Sequence, residues 1–128
     1  MKKVFFILFS MCFATAMMAQ TDSLSVEIDK IFKVVEHDFG TLKQSSTPSV
    51  YKFEYVNVGD KPLIIMDTKV SCGCTVAEYS KEPVKPGKKA YIKVGYSTKD
   101  RPGFFRKNIT VITNYGTKTL TIKGTVKN

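Results

Sequence analysis

A chain of 128 residues supports one hydrophobic core and no more, because halves of that length bury too little apolar surface, and this excludes a multidomain enzyme. With 43% hydrophobic and 24% charged residues it has the composition of a globular domain, not of a disordered or collagen-like chain. The formal net charge is +9, yet no block of five or six like charges occurs, which is the pattern of a solvated surface and not of a nucleic-acid-binding tail.

Residues 1–19 read as a cleaved secretory signal peptide. Lys2 and Lys3 form a basic start, Val4 to Phe13 is almost wholly apolar, and the small residues Ala14, Ala16 and Ala19 follow. The apolar run is shorter than the roughly 20 residues a bilayer span requires. Cleavage is expected between Ala19 and Gln20, leaving no transmembrane segment. Cys12 follows the bulky Met11, unlike a lipidated cysteine, and leaves with the signal. Its removal takes two lysines and no acid, so the mature chain stays basic, at +7. An exported basic chain, periplasmic or extracellular, meets anionic headgroups, glycans or acidic proteins in preference to nucleic acid. Cys72 and Cys74 alone survive processing, and export permits their oxidation.

Residues 20–33 place Leu24, Ile28, Ile31 and Phe32 at mixed spacings, a short helical lead or a linker. From Val34 to Asn128 the period becomes two, the signature of strands whose alternate side chains face opposite sides of a sheet. Val34, Val35 and Phe39 make a first strand closed by Gly40. In Val50 to Asn57 the residues Tyr51, Phe53 and Tyr55 face one way and Lys52 and Glu54 the other. A turn through Gly59 to Pro62 leads to Leu63, Ile64, Ile65 and Met66, an apolar run that fits a strand covered on both faces, with Met66 in the core. The run continues through Val70 into the cysteines, and a loop follows that holds Pro83, Pro86 and Gly87, with Pro86-Gly87 suited to the centre of a type II turn. Tyr91 to Tyr96 puts Ile92, Val94 and Tyr96 inward. Phe105, Ile109 and Val111 share a face of a long strand, Asn114 to Gly116 is a hairpin loop, and the last strand turns Leu120, Ile122 and Val126 inward, with Gly124 marking a bulge.

About seven short strands with regular turns define an all-β fold, an immunoglobulin-like antiparallel β-sandwich over residues 34–128. The chain has no tryptophan and its two remaining cysteines are two residues apart, so the antibody type of core disulfide is excluded.

The ordered set His37-Asp38-Phe39-Gly40-Thr41, Asn57-Val58-Gly59, Pro62-Leu63-Ile64-Ile65, Ser71-Cys72-Gly73-Cys74-Thr75, Pro86-Gly87 and Gly124-Thr125-Val126 resembles the bacterial family called domain of unknown function 1573. The Cys-Gly-Cys-Thr element is its most specific part, and the likeness covers about residues 34–126. The resemblance implies export and an immunoglobulin-like fold, and it brings no activity with it.

Cys72 and Cys74 are the sharpest chemical feature. In an extended strand their α-carbons would stand about 6.5 Å apart, near the upper limit for a disulfide, and Gly73 allows a turn that shortens the distance. Four fates follow: a local disulfide that pins the loop, a redox pair, a metal site, or free thiols. Two thiolates suit copper(I), yet a closed zinc site needs four ligands. Cys72, Cys74 and His37 together make the speculative copper set, if the first strand passes the cysteine loop. His37 otherwise reads as a locally bonded strand residue. No cofactor is expected.

Glu36 and Asp38 share a strand face, as an acid and base would, but alternating acids on a strand predict solvation first. Cys72 with His37 lacks the surroundings of a thiol protease, and no catalytic residue is assigned. Asn108-Ile109-Thr110 matches a glycosylation acceptor only formally. Tyr79, Tyr91, Phe104 and Tyr115 would mark a binding patch if they cluster, and otherwise complete core edges. The expected function is a non-catalytic interaction or structural module of the bacterial cell envelope, with an envelope or extracellular protein as partner through a strand edge or the Cys72 loop. The alternative is a thiol-redox or copper-handling protein acting through the Cys-Gly-Cys pair.

Overall fold

The computed structural model describes residues 28–128. The signal segment, the cleavage site at Ala19 and Gln20, Cys12 and the first part of the lead lie outside the described residues. Seven strands follow a helical turn at 28–31: β1 (Glu36–Lys43), β2 (Ser49–Val56), β3 (Ile65–Val70), β4 (Thr75–Tyr79), β5 (Lys89–Tyr96), β6 (Gly103–Thr113) and β7 (Gly116–Lys127). They form two sheets, one in the order β1-β7-β6-β3 and one in the order β2-β5-β4.

The alternation of β-branched and aromatic residues with polar ones decides which face of each strand is wetted, and the apolar faces meet between the sheets. Phe53 and Tyr55 from β2, Ile92, Val94 and Tyr96 from β5, Phe105, Ile109 and Val111 from β6, and Leu120, Ile122 and Val126 from β7 are buried together. Each such side chain contributes about 1.5–3 kcal/mol by leaving water. The sequence predicts each of these residues inward. Tyr96 stacks on Phe105 across the core, with centroids 3.8 Å apart.

The structure settles one open reading and departs from others, among them the segment after the cysteines, which forms the strand β4 before the proline-containing loop begins. Of the two readings of the lead, the helical one holds from Ile28 onward: Ile28, Ile31 and Phe32 belong to the core, and Phe32 packs 5.2 Å from the Tyr55 ring. Packing therefore begins before Val34. The first strand does not end at Gly40 but runs on to Lys43. Its register against β7 slips between Asp38 and Thr41, and Gly40 takes a positive φ of 68° while its N–H donates to Asp38 Oδ1 at 2.7 Å. Gly124 sits opposite this bulge, on β7. A Cβ there would stand 2.9 Å from the Phe105 ring and 3.0 Å from the Gly40 carbonyl, so the glycine is needed for close approach, with the extra residue on the neighbouring strand.

Met66 is not in the core but 59% exposed. The Leu63 to Met66 run alternates after all, with Leu63 and Ile65 buried and Ile64 and Met66 turned to solvent, because in a two-sheet sandwich each sheet is covered on one face only. Finally, β1 pairs parallel to β7, while every other strand pairing is antiparallel. A parallel neighbour needs a long connection, and here the whole intervening domain supplies it.

The Asn57-Val58-Gly59 and Asn114-Tyr115-Gly116 segments hold one end of the sandwich. Asn57 is fully buried, and its Nδ2 donates to the carbonyls of Lys61 at 2.7 Å and Val84 at 2.8 Å while its Oδ1 accepts from Gly59 N–H at 2.9 Å. A buried amide is stable only when satisfied in this way. Tyr115 donates its hydroxyl to the Lys61 carbonyl at 2.8 Å and accepts from Lys61 N–H at 3.0 Å. Asn114 joins Ile64 N–H and the Pro62 carbonyl. Pro86-Gly87 forms the expected turn, closed by Lys88 N–H to the Lys85 carbonyl at 3.0 Å with Gly87 at φ 81°.

Candidate functional site

Ser71 to Cys74 carries the chain from β3 to β4, that is, from one sheet to the other along one side of the sandwich. Cys72 and Cys74 are joined by a disulfide with α-carbons 5.3 Å apart, inside the usual range and shorter than a flat strand gives. The shortening comes from a turn here: Thr75 N–H donates to the Cys72 carbonyl at 3.4 Å. Cys74 is 2% exposed, whereas Cys72 is half-buried. The Thr75 hydroxyl, itself buried, lies 3.7 Å from Cys74 Sγ and 3.9 Å from Cys72 Sγ. Ser97 N–H donates to the Cys74 carbonyl at 2.9 Å, which ties the loop to the end of β5.

The same end of the molecule is built from two further loops. Thr98 is fully buried; its hydroxyl accepts from Ser45 N–H at 3.0 Å and lies 3.4 Å from the carbonyls of Lys43 and Ser45. Asp100, at φ 58°, donates its N–H to Gln44 Oε1 at 2.9 Å. Three connections are thereby fastened around the disulfide.

Next to it, on the outer face of the three-stranded sheet, runs a groove of about 380 Å³. Its floor is Gly95, which faces Val50 on β2 and Val76 on β4. With no side chain in the middle row, the two valines form walls, 45% and 56% exposed. Pro48 closes one part of the lining, and Lys93 and Glu78 supply its charges. Sequence reasoning missed this groove. Its signal was a glycine at an outward position of an otherwise regular strand, flanked in register by two apolar residues whose positions predict exposure.

The other predicted site residues lie elsewhere. His37 is on β1, the edge strand opposite to β3 in the same sheet, so the structure does not bring it to the cysteines. Its ring stacks on Tyr51, centroids 3.7 Å apart, and meets the edge of Phe39 at 4.7 Å. It closes the β1–β2 side of the sandwich. Among the described residues no group of three or more His, Cys, Asp and Glu is placed to hold a metal ion.

Glu36 and Asp38 are each engaged by other partners. Glu36 bonds Lys123 at 2.9 Å and Arg106 at 3.3 Å, and its carboxyl is held below the ordinary value of 4.5, first by the Lys123 hydrogen bond and then by the charges of Lys123 and Arg106. Asp38 holds the bulge.

The candidate aromatics do not cluster. Tyr79 packs, partly buried, against the core, Tyr91 and Phe104 are exposed on different sheets, and Tyr115 is buried in its clamp. Asn108 stands on the outer face of β6, where its Oδ1 accepts from the Thr121 hydroxyl at 3.0 Å.

Two facing sheets, a terminal strand added in parallel and a disulfide-closed crossover define an all-β sandwich domain with loop-borne and face-borne features at one end. The chain belongs to the family described as Protein of unknown function (DUF1573), whose model matches residues 31–126. Among solved structures it is similar to a protein of unknown function from Porphyromonas gingivalis W83, at 17% identity and a TM-score of 0.62, over 72% of this chain and 44% of that one. It is similar also to the Vibrio cholerae VesB protease, at 10% identity and a TM-score of 0.58, over 84% of this chain and 35% of that one. The chain thus spans less than half the length of either, and at these identities the likeness concerns the fold alone. No curated protein matches the chain. No helix among the described residues is long and apolar enough to cross a membrane.

Proposed function

We propose that this chain is an exported, non-catalytic interaction module of the bacterial cell envelope, and that it contacts a partner protein through the groove over Gly95 and the disulfide-pinned loop beside it. The observation that carries this reading is the open apolar groove between Val50 and Val76, because concave apolar surface with a few charges at its margin is what protein segments dock into. The reading draws support from the engagement of the chemically capable side chains in structural contacts: His37 in a stack, Glu36 in ion pairs, Asp38 and Asn57 in turns.

A photoreactive residue at Val76 tests it. The expected result is an adduct with an envelope protein in cells at Val76 and none at Thr119 on the opposite sheet, with the adduct abolished by Gly95→Leu, which fills the groove. A Cβ at Gly95 meets nothing closer than 3.7 Å and the rest of the leucine extends into the open groove, so the variant is expected to keep its fold, which circular dichroism checks. Equal adducts at the two positions would overturn the proposal.

A second reading, thiol exchange, is favoured by the asymmetry of the pair, half-buried Cys72 beside buried Cys74, since an attacking thiolate needs access to one sulfur. It predicts that Cys72 reacts first with a small thiol and that the disulfide equilibrates with glutathione. A pair that stays oxidised under those conditions removes this reading.

A further inference from the structure

The sandwich has four sheet edges, and three of them are short or broken. β4 has five residues, and β1 and β3 each carry a register shift, devices that discourage pairing with another chain. β2 differs. Its eight residues pair with β5 in unbroken register from Ser49 opposite Tyr96 to Val56 opposite Lys89, and it contains no proline.

Which backbone groups of β2 face outward follows from two bonds. Asn57 N–H donates to the Lys88 carbonyl, and Ser97 N–H to the Cys74 carbonyl. Bonding direction alternates along a strand. The first bond makes Tyr51, Phe53 and Tyr55 the residues that bond β5. The second assigns Gly95 and Lys93 to β4, leaving Ile92, Val94 and Tyr96 for β2, in agreement. Val50, Lys52, Glu54 and Val56 therefore turn their N–H and C=O groups to the edge, where Lys33 and Val34 of the lead line a hollow together with Lys52, Glu54 and Val56, and among the described residues those groups have no other backbone partner.

These residues have a self-complementary order. Read from Val50 to Val56 the strand is Val-Tyr-Lys-Phe-Glu-Tyr-Val, symmetric about Phe53 except that Lys52 answers Glu54. We propose that this edge pairs with the same edge of a second copy of the chain, β2 antiparallel to β2 about a two-fold axis at Phe53, to give a continuous six-stranded sheet. In that register Lys52 of each copy faces Glu54 of the other, and Val50 faces Val56. All four are edge-directed residues, as bonded pairs in an antiparallel ladder require.

Slipping by two residues in one direction sets Lys52 against Lys52, and in the other Glu54 against Glu54. Like charges directly opposite are destabilising, so one register is selected. A lysine in mid-edge ordinarily guards a strand against pairing, and here Glu54 of the second copy neutralises it, leaving the guard active against other partners. Glu54 already lies 3.5 Å from Lys89 of its own chain, so the seam would alternate charge along the outer face. The pairing also covers Val50, which is 45% exposed.

The proposal shares Val50 with the groove but rests on a different observation, the order of charges along the β2 edge, and has its own test. Sedimentation of the mature protein is expected to show a concentration-dependent dimer below about 1 mM, the range of a small polar interface. Lys52→Glu and Glu54→Lys, both at exposed positions, are each expected to weaken association about tenfold. A one-to-one mixture of the two variants is expected to associate at least as tightly as the wild type, because every charge then faces its opposite. No loss of fold in either variant could produce that recovery. A wild type that stays monomeric, association indifferent to the single substitutions, or a mixture that fails to recover would each overturn the proposal.

Discussion

Gly59→Ala probes the clamp that holds the end of the sandwich remote from the disulfide. Gly59 does not have a left-handed backbone, so alanine suffers no conformational penalty of its own there. The obstacle is Tyr115: a Cβ on residue 59 would lie 2.2 Å from its hydroxyl oxygen and 2.6 Å from two ring carbons. Contacts that short are not relieved by small adjustments, so the ring must leave its place. It then gives up the two bonds to Lys61, at 2.8 and 3.0 Å, each contributing about 1 kcal/mol. Part of the burial of a ring now 4% exposed is lost as well, about 1–3 kcal/mol. The expected destabilisation is about 3–5 kcal/mol, a fall in Tm of roughly 12 °C or more for a domain of this size. Gly73→Ala, where nothing lies within 4 Å of the added carbon, is the control and should stay within about 0.5 kcal/mol. A double-mutant cycle by denaturant unfolding isolates the cause, because Gly59→Ala should cost little once Tyr115→Ala has removed the ring. Additive losses in that cycle would refute the argument, since they would place the cost somewhere other than the Gly59–Tyr115 contact.

Replacing both Cys72 and Cys74 by serine should cost about 1–2 kcal/mol in urea unfolding, because so short a loop restricts the unfolded chain little; complete unfolding would show that the loop organises the domain. Tyr55→Phe should leave stability unchanged or raise it by up to about 1 kcal/mol, since the Tyr55 hydroxyl is buried without a hydrogen-bond partner and burial already pushes its pKa upward; a loss beyond that would reveal a partner. Glu36→Gln should lower stability at neutral pH and converge with the wild type in acid. The folded-state pKa of Glu36 lies below its ordinary value, so the contribution is full above the unfolded value and disappears as pH falls through the folded one. Unfolding midpoints at pH 7 and pH 3 decide it, and a gap that persists at pH 3 would show that the charge is not responsible.

Legibility in the sequence followed the periodicity of the residues. Tyr51, Phe53 and Tyr55, then Ile92, Val94 and Tyr96, then Leu120, Ile122 and Val126 declare their inward faces because each alternates with polar residues. Leu63 to Met66 hides its faces: four apolar residues in a row do not reveal that only one face of the segment is covered, leaving Ile64 and Met66 in water. Gly40 read as a stop because glycine ends strands and also builds bulges, and the choice depended on the Asp38 carboxylate and the β7 neighbour. Asn57 and Tyr115 were invisible as partners because 54 residues separate Tyr115 from Lys61, the backbone that both hold.

By itself the sequence determined the strand class, the inward faces, the Pro86-Gly87 turn and the closeness of Cys72 and Cys74, all consequences of local chemistry within a few residues. Tertiary structure alone decided that β1 lies parallel to β7, that His37 stands across a sheet from the cysteines, and that Gly95 opens a groove between Val50 and Val76. Those facts depend on which strands become neighbours, and neighbours are chosen by the burial of all seven strands at once, a property that no single segment carries.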